Sequence, residues 1–463
     1  MSQIDMPDGS ESGVSGLARG LRARARMVLT GRGDDAVAQR VAATAFLIRV
    51  ASAAIVYASQ VLLARWMGSF EFGIYVYVWT WVLLIGAVID LGLASSAQRF
   101  IPEYTGLRAF DLLRGFLSAG RWFVIAVATL AAALAAGAVV LAEPWLDSAT
   151  VLPLLLACLC LPFFALTHMH DGIARSSNWI VLSLFPPYIL RPLLLLAFVA
   201  GAHAAGYAAD AVSAMLAAVA ATWATAVIQM LAVDRRLRRT VARGPKATDF
   251  RTWLSVSLPI FMVESFYFLL TYTDILVLKQ LRPADEVAVY FAASKTLALV
   301  AFVYFAVSAA AAHKFTQYHV AGDRERLARF LMQSIRWTFW PSLAATALLL
   351  ALGKPVLWMF GPEFVAGYPL MFVLAVGLLA RAAIGPVERL LNMLGEQRRC
   401  ALVYAAAFVV NLVACVILVP SWGAMGAAGS TSLALVFESL LLFLVTRKRL
   451  GLHVFVWARA GRG

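Results

Sequence analysis

The stretch LLARWMGSFEFGIYVYVWTWVLLIGAVIDLGLASSAQRFIPEY, residues 62–104, decides how the chain is read. Within it, residues 73–96 form one apolar run that carries a single charge, Asp90. Glu71 precedes the run, and Arg99 and Glu103 follow it. About 20 mostly apolar residues at 1.5 Å rise each cross a bilayer as a helix. A run of this length is too long for a buried strand.

Composition extends that reading to the whole chain. Of 463 residues, 62% are hydrophobic and only 14% are charged. A soluble domain is nearer half apolar and a quarter charged. Burial saturates as a domain grows, so a soluble fold of this size has no interior for so many apolar side chains. An ordinary cytosolic enzyme is excluded. Lys+Arg outnumber Asp+Glu by 39 to 25, a net charge of +14 whose location has to be found.

Twelve apolar runs can be counted, at 42–64, 73–96, 122–142, 150–168, 180–201, 210–233, 253–279, 286–312, 337–358, 365–386, 400–419 and 424–446. The bilayer admits helices or closed barrels, and runs of this length are helices. The expected fold class is an all-α polytopic membrane protein with about twelve transmembrane helices. The runs at 253–279 and 286–312 are long enough to tilt or protrude.

Basic residues then set the orientation. With the N-terminus inside, 32 Lys+Arg fall in inside segments, 4 in outside loops and 3 within spans (Arg49, Arg191 and Lys295). A wrong span count would shift parity and scramble this split. Both termini are expected in the cytoplasm. The +14 therefore records topology, and nucleic acid is not an expected partner. Residues 1–40 read as a disordered cytoplasmic tail, with a surface-lying basic helix over 17–29 as the other reading. No apolar segment precedes the first span, so the start does not read as a cleavable signal. Cys158, Cys160, Cys400 and Cys415 all lie within or at the end of spans, and no disulfide is expected.

The two halves align with each other. Sliding the chain by 215 residues places Leu63 on Leu278, Glu71 on Glu286, Tyr75 on Tyr290, Arg99 on Lys314 and Phe100 on Phe315. Six spans per half is an even number, so the halves share one orientation. This predicts two parallel six-helix repeats related by an axis along the membrane normal. The expected domains are a tail at 1–40, an N-terminal lobe at 41–233, a basic cytoplasmic connector at 234–252, a C-terminal lobe at 253–446 and a tail at 447–463.

The quoted stretch also resembles the first two helices of the Wzx-like polysaccharide-export flippases of the multidrug/oligosaccharidyl-lipid/polysaccharide exporter superfamily. The resemblance rests on the small-apolar-Arg end of span 1, on Gly68, Phe72, Gly73 and Tyr75, and on the Gly-Leu…Arg-Phe…Glu-Tyr exit. Residues 417–450, ILVPSWGAMGAAGSTSLALVFESLLLFLVTRKRL, are similar to the last hairpin of that family. With the repeat, the resemblance covers roughly residues 41–450. It implies two six-helix lobes around a central cavity and movement of a lipid-linked oligosaccharide between leaflets.

Ionisable residues at membrane depth are costly and mark cavities or partners. The basic ones are Arg49, Arg191 and Lys295, and the acidic ones Asp90, Glu264, Asp274 and Glu438. In span 7, Glu264, Tyr267, Thr271 and Asp274 share one helical face and suggest a wet stripe. The repeat maps Glu264 onto Arg49, which suggests a pair across the axis between spans 1 and 7. Snorkelling of Arg49 to the headgroups is the bland alternative. Arg191 follows Pro186-Pro187, which should kink or interrupt span 5, and a broken helix beside a mid-depth Arg is a transporter site pattern. Asp90 is read as a cap or pair near the inner exit, and Glu438 as a partner of the basic C-terminal tail.

The candidate cavity residues are therefore Arg49, Arg191, Glu264, Tyr267, Thr271, Asp274 and Lys295. Glu264 and Asp274 are the candidates for coupling to H+ or Na+. Arg and Lys suit the diphosphate of a lipid carrier, and Trp79, Trp81, Tyr267 and Tyr272 suit its sugars. No catalytic constellation, metal site or cofactor is expected. Gly353-Lys354-Pro355 lacks the loop and hydroxyl of a nucleotide site. The leading expectation is a flippase for undecaprenyl-diphosphate-type lipid-linked oligosaccharide in surface polysaccharide biosynthesis, in contact with membrane lipids, polymerase and export machinery. A cation-coupled exporter of drugs or metabolites is the alternative, and a membrane glycan polymerase or glycosyltransferase a further one.

Overall fold

The computed structural model describes residues 34–457. Of the tail expected to be disordered, residues 1–33, with the basic segment at 17–29, lie outside the described residues, whereas residues 34–40 are helical. Within them the chain is helical and contains no strand: α1 (Asp34–Val88), α2 (Leu93–Gly106), α3 (Phe110–Ala142), α4 (Ser148–Ser176), α5 (Ile180–Phe185), α6 (Arg191–Ala204), α7 (Ala211–Thr240), α8 (Phe250–Leu281), α9 (Ala284–Ala298), α10 (Ala301–Val320), α11 (Arg324–Ala351), α12 (Gly353–Trp358), α13 (Tyr368–Ile384), α14 (Val387–Met393) and α15 (Gln397–Leu450).

Nine stretches among the described residues are long and apolar enough to cross a membrane. Two are double. Leu47–Gly106 and Gln397–Leu450, of 60 and 54 residues, contain Gly68 (φ 75°) and Gly423 (φ 53°), where the backbone leaves the helix. Positive φ is open to glycine at no steric cost, and each glycine marks a reversal between two crossings. The reversal at Gly423 is tight: a Cβ on Gly426 would lie 2.5 Å from the Leu418 carbonyl oxygen. Helix α11, with Arg324, Glu325, Arg326 and Arg329 in its opening turns, completes twelve crossings. The protein is a twelve-helix bundle of two six-helix repeats around a central cavity.

The repeat has a structural signature. Glu71 Oε2 accepts from the Ala211 N–H at 2.8 Å, at the start of the sixth crossing. Glu286 Oε2 accepts from the Ala424 N–H at 3.0 Å, at the start of the twelfth. The first N–H groups of a helix have no partner within it, and a carboxylate there also meets the positive end of the helix dipole. The two glutamates aligned by the 215-residue offset thus perform the same capping role.

Helix α8 belongs to both repeats. Its first turns dock on the first repeat: Trp253 Nε1 donates to Tyr104 Oη at 3.0 Å and Ser257 Oγ to Ser96 Oγ at 2.8 Å. Gly92 (φ 77°) permits this approach, since a Cβ there would lie 2.5 Å from the Ser257 carbonyl oxygen. Its last turns pack in the second repeat, where Asn411 Nδ2 donates to the Leu270 carbonyl at 3.3 Å. At the face remote from the basic connector the repeats are tied together. Ser69 Oγ donates to Asp285 at 2.7 Å, Gln280 Nε2 to Tyr77 Oη at 2.8 Å, and Arg65 Nε to the Met359 carbonyl at 2.7 Å. At the basic face, α7 runs to Thr240 and α8 starts at Phe250, so about half of the stretch read as a connector is helix.

Candidate functional site

Two cavities lie between the repeats. The central one, of about 280 Å³, is lined by residues of both, among them Tyr57, Tyr75, Trp79, Arg191, Tyr272 and Lys295. Its geometry begins with span 5. Pro186 and Pro187 remove backbone donors, and residues Pro186–Leu190 adopt a π-helical turn between α5 and α6. Arg191 starts α6 directly after that turn. Its guanidinium carbon lies 4.8 Å from the centroid of the Phe164 ring and 5.6 Å from that of Trp79. Lys295 enters from α9, with Nζ 5.2 Å from the Phe291 centroid. Aromatic faces hold both cations without neutralising them. No carboxylate lines this cavity among the described residues, so its charge is positive.

Its remaining wall is aromatic and hydroxylated. Tyr75 and Trp79 stack with centroids 6.3 Å apart. Tyr57 Oη and Thr296 Oγ1 lie 2.9 Å apart across the seam between repeats. Tyr57 and Tyr272 are 215 residues apart, so the repeat contributes one tyrosine from each half.

The second cavity, of about 570 Å³, lies toward the basic face and is lined by Arg49, Tyr267, Tyr304, Arg381, Glu388 and Arg389 among others. Asp274 lies in neither wall. It is buried within the second repeat, where Oδ2 accepts from the hydroxyls of Tyr290 and Thr431, the latter at 3.1 Å, and Oδ1 accepts from the Ile275 N–H at 2.8 Å.

Comparison with known proteins agrees with this architecture. The profile of the family described as polysaccharide biosynthesis protein matches residues 41–313, more than half of the chain. The chain belongs to the polysaccharide biosynthesis protein family. A second profile, MatE, matches residues 259–417. The lipid II flippase MurJ, in an inward closed conformation, superposes with a TM-score of 0.69 at 15% identity, over 87% of each chain. An inward-facing multidrug resistance MATE transporter of the MOP superfamily gives a TM-score of 0.69 at 15% identity, over 88% of this chain and 94% of that one. A MOP superfamily transporter from Pyrococcus furiosus, reported with reversed polarity of its binding pocket, gives 0.64 at 14% identity, over 92% and 97%. No curated protein sequence matches the chain. At these identities the structures show a shared fold, that of the MOP flippases and transporters.

In this polysaccharide biosynthesis family member, the residues expected to form one site are distributed over several. Arg191 and Lys295 meet in the central cavity. Arg49 and Tyr267 line the second. The expected pair between Arg49 and Glu264 is not formed. Arg49 lies over the rings of Tyr188 and Phe305, with its guanidinium carbon 5.9 and 5.7 Å from their centroids, while Glu264 Oε1 accepts from Ser95 Oγ at 2.6 Å. The expected single stripe on span 7 also breaks up. Glu264 to Asp274 covers about 15 Å of helix axis at 1.5 Å per residue, and α8 changes neighbours over that length. Thr271 is exposed and donates to the Tyr267 carbonyl of its own helix at 2.8 Å.

Asp90 takes the expected role of cap and pair, whereas Glu438 does not take the expected partner. Asp90 caps α2, accepting from the Gly92 and Ala94 N–H groups at 3.1 Å each, and lies 3.2 Å from His168 Nδ1. Glu438 is paired with Arg381 at 3.7 Å and not with the C-terminal tail. Arg381, counted above with the inside loops, lies on α13 and is a further basic residue within a span. Its position 14 residues into an apolar helix was the available signal.

Proposed function

We propose that this protein is a flippase that moves a lipid-linked oligosaccharide of the undecaprenyl-diphosphate type across the bacterial inner membrane for surface polysaccharide biosynthesis. The observation that carries this reading is the central cavity: Arg191 and Lys295, one from each repeat, face a space with aromatic walls and no lining carboxylate. Charge-assisted hydrogen bonds from Arg and Lys match a diphosphate. Aromatic faces such as Trp79 match sugar rings, while the lipid tail stays in or beside the bilayer. Rocking of the two repeats exposes the cavity to each side in turn. Closure at the face remote from the connector, with that face placed outside, corresponds to a state directed to the cytoplasm. Both termini are then cytoplasmic, the lobes are residues 41–233 and 253–446, and membrane polymerase and export machinery are the downstream partners. The test is movement of a fluorescent lipid-diphosphate glycan between leaflets of proteoliposomes.

A second reading concerns coupling. Asp274, buried among the hydroxyls of Tyr290 and Thr431, is a candidate to carry H+ or Na+, and the MatE match over residues 259–417 contains it. If so, Asp274→Asn transports at a rate independent of an imposed ion gradient. An unchanged gradient response removes Asp274 from coupling.

A further inference from the structure

The second cavity carries charge that the central one does not use. Its wall holds three guanidiniums, Arg49, Arg381 and Arg389, and one carboxylate, Glu388. Arg49 and Arg389 have no ion-pair partner among the described residues. Behind the wall, Arg381 Nη2 lies 3.2 Å from Glu388 Oε2 and 3.7 Å from Glu438 Oε1. Glu438 is 0% exposed, and no protein donor reaches either of its oxygens. Two carboxylates thus share one guanidinium, and one of them is wholly buried. The groups facing Glu438 are Arg381 on α13, Glu388 on α14, Tyr304 on α10, Tyr267 on α8, and Tyr404 and Cys400 on its own helix α15. The Tyr404 hydroxyl and the Ser308 hydroxyl beside the cavity are buried without partners.

We propose that this cavity is a second oxyanion site, for a phosphate or diphosphate group, whose occupation is linked to protonation of Glu438. An oxyanion at the wall draws Arg381 away from Glu388 and Glu438, with Arg49 and Arg389 as further donors. Glu438 is then a buried charge without a counter-charge, which is costly. It takes up one proton from water and becomes a neutral carboxyl group. When the anion leaves, Arg381 returns to the two carboxylates and the proton is released. No covalent bond to the anion forms and nothing is oxidised. The site uses neither Arg191 nor Lys295, so it stands or falls apart from the central-cavity reading.

The test uses the full chain carrying Arg191→Ala and Lys295→Ala, in phosphatidylcholine nanodiscs, with inorganic sulfate as a probe that does not itself titrate near neutrality. Sulfate binding is expected to tighten on going from about pH 8 to about pH 6, by up to about a hundredfold for one linked proton. Glu438→Gln, which mimics the protonated carboxyl, should bind at the tight level at both values. Arg381→Gln with Glu438→Gln leaves neither charge of that pair behind and should lose binding. Exchanging the lipid for phosphatidylglycerol separates the sources: lost sulfate binding assigns the site to a lipid headgroup, retained binding to a diphosphate cargo, and either supports the site. A pH dependence that survives Glu438→Gln, or full binding in the Arg381/Glu438 double variant, overturns the proposal.

Discussion

Arg191 and Lys295 come from different repeats and face one cavity, each against an aromatic ring and neither against a carboxylate. Their charge is therefore held available for an anion from outside the protein. A charge-assisted hydrogen bond contributes about 1.5–3 kcal/mol. Arg191→Ala and Lys295→Ala should each slow glycan-lipid movement by about ten- to a hundredfold while elution and thermal unfolding stay close to wild type. Arg191→Lys should recover part of the rate. Alanine variants that transport normally would mean that neither side chain holds cargo.

Arg49 and Glu264 do not touch in this conformation, and the double-mutant cycle reads that separation. Stability effects of Arg49→Ala and Glu264→Ala should add to within about 0.5 kcal/mol, as for sites without shared partners. A larger interaction energy would show that the two residues pair in solution.

Glu71 and Glu286 cap the sixth and twelfth crossings. Removing a cap costs about 1 kcal/mol, in a range of about 0.5–2. Glu71→Ala and Glu286→Ala should each lower the unfolding temperature in detergent by a similar amount, and the double variant by the sum. A fall confined to one position would show that the two do not share a role.

Gly92 meets two constraints at once, a φ of 77° and a Cβ position 2.5 Å from the Ser257 carbonyl oxygen. Gly92→Ala should loosen the first turns of α8 from the first repeat, with faster amide exchange around Trp253. Because the clash is with backbone, Ser257→Ala should not rescue it. Rescue by Ser257→Ala would locate the conflict in the side chain.

The sequence showed twelve crossings, a repeat and the irregular turn in span 5, because each is written in local runs, in the 215-residue offset and in the adjacent prolines. It also singled out Arg191 and Lys295, since charges deep in apolar runs are conspicuous. What it could not show was which charges meet. Span 7 displays one polar face, yet α8 leans on the first repeat at Trp253 and on the second at Leu270, so its polar residues go to different neighbours. Glu264 took Ser95 as a partner, and Arg49 took two rings. Arg381 lies inside the run 365–386 but only five residues from its end, so it was counted with the following loop.

The most direct test of the central claim is leaflet exchange of a fluorescent undecaprenyl-diphosphate glycan in proteoliposomes. Wild-type protein is expected to move the glycan-lipid well above the rate of protein-free vesicles, and the Arg191→Ala/Lys295→Ala double variant to fall to that background while remaining folded. Wild-type protein that leaves the glycan-lipid in its original leaflet, or a double variant that moves it at the wild-type rate, would contradict the account.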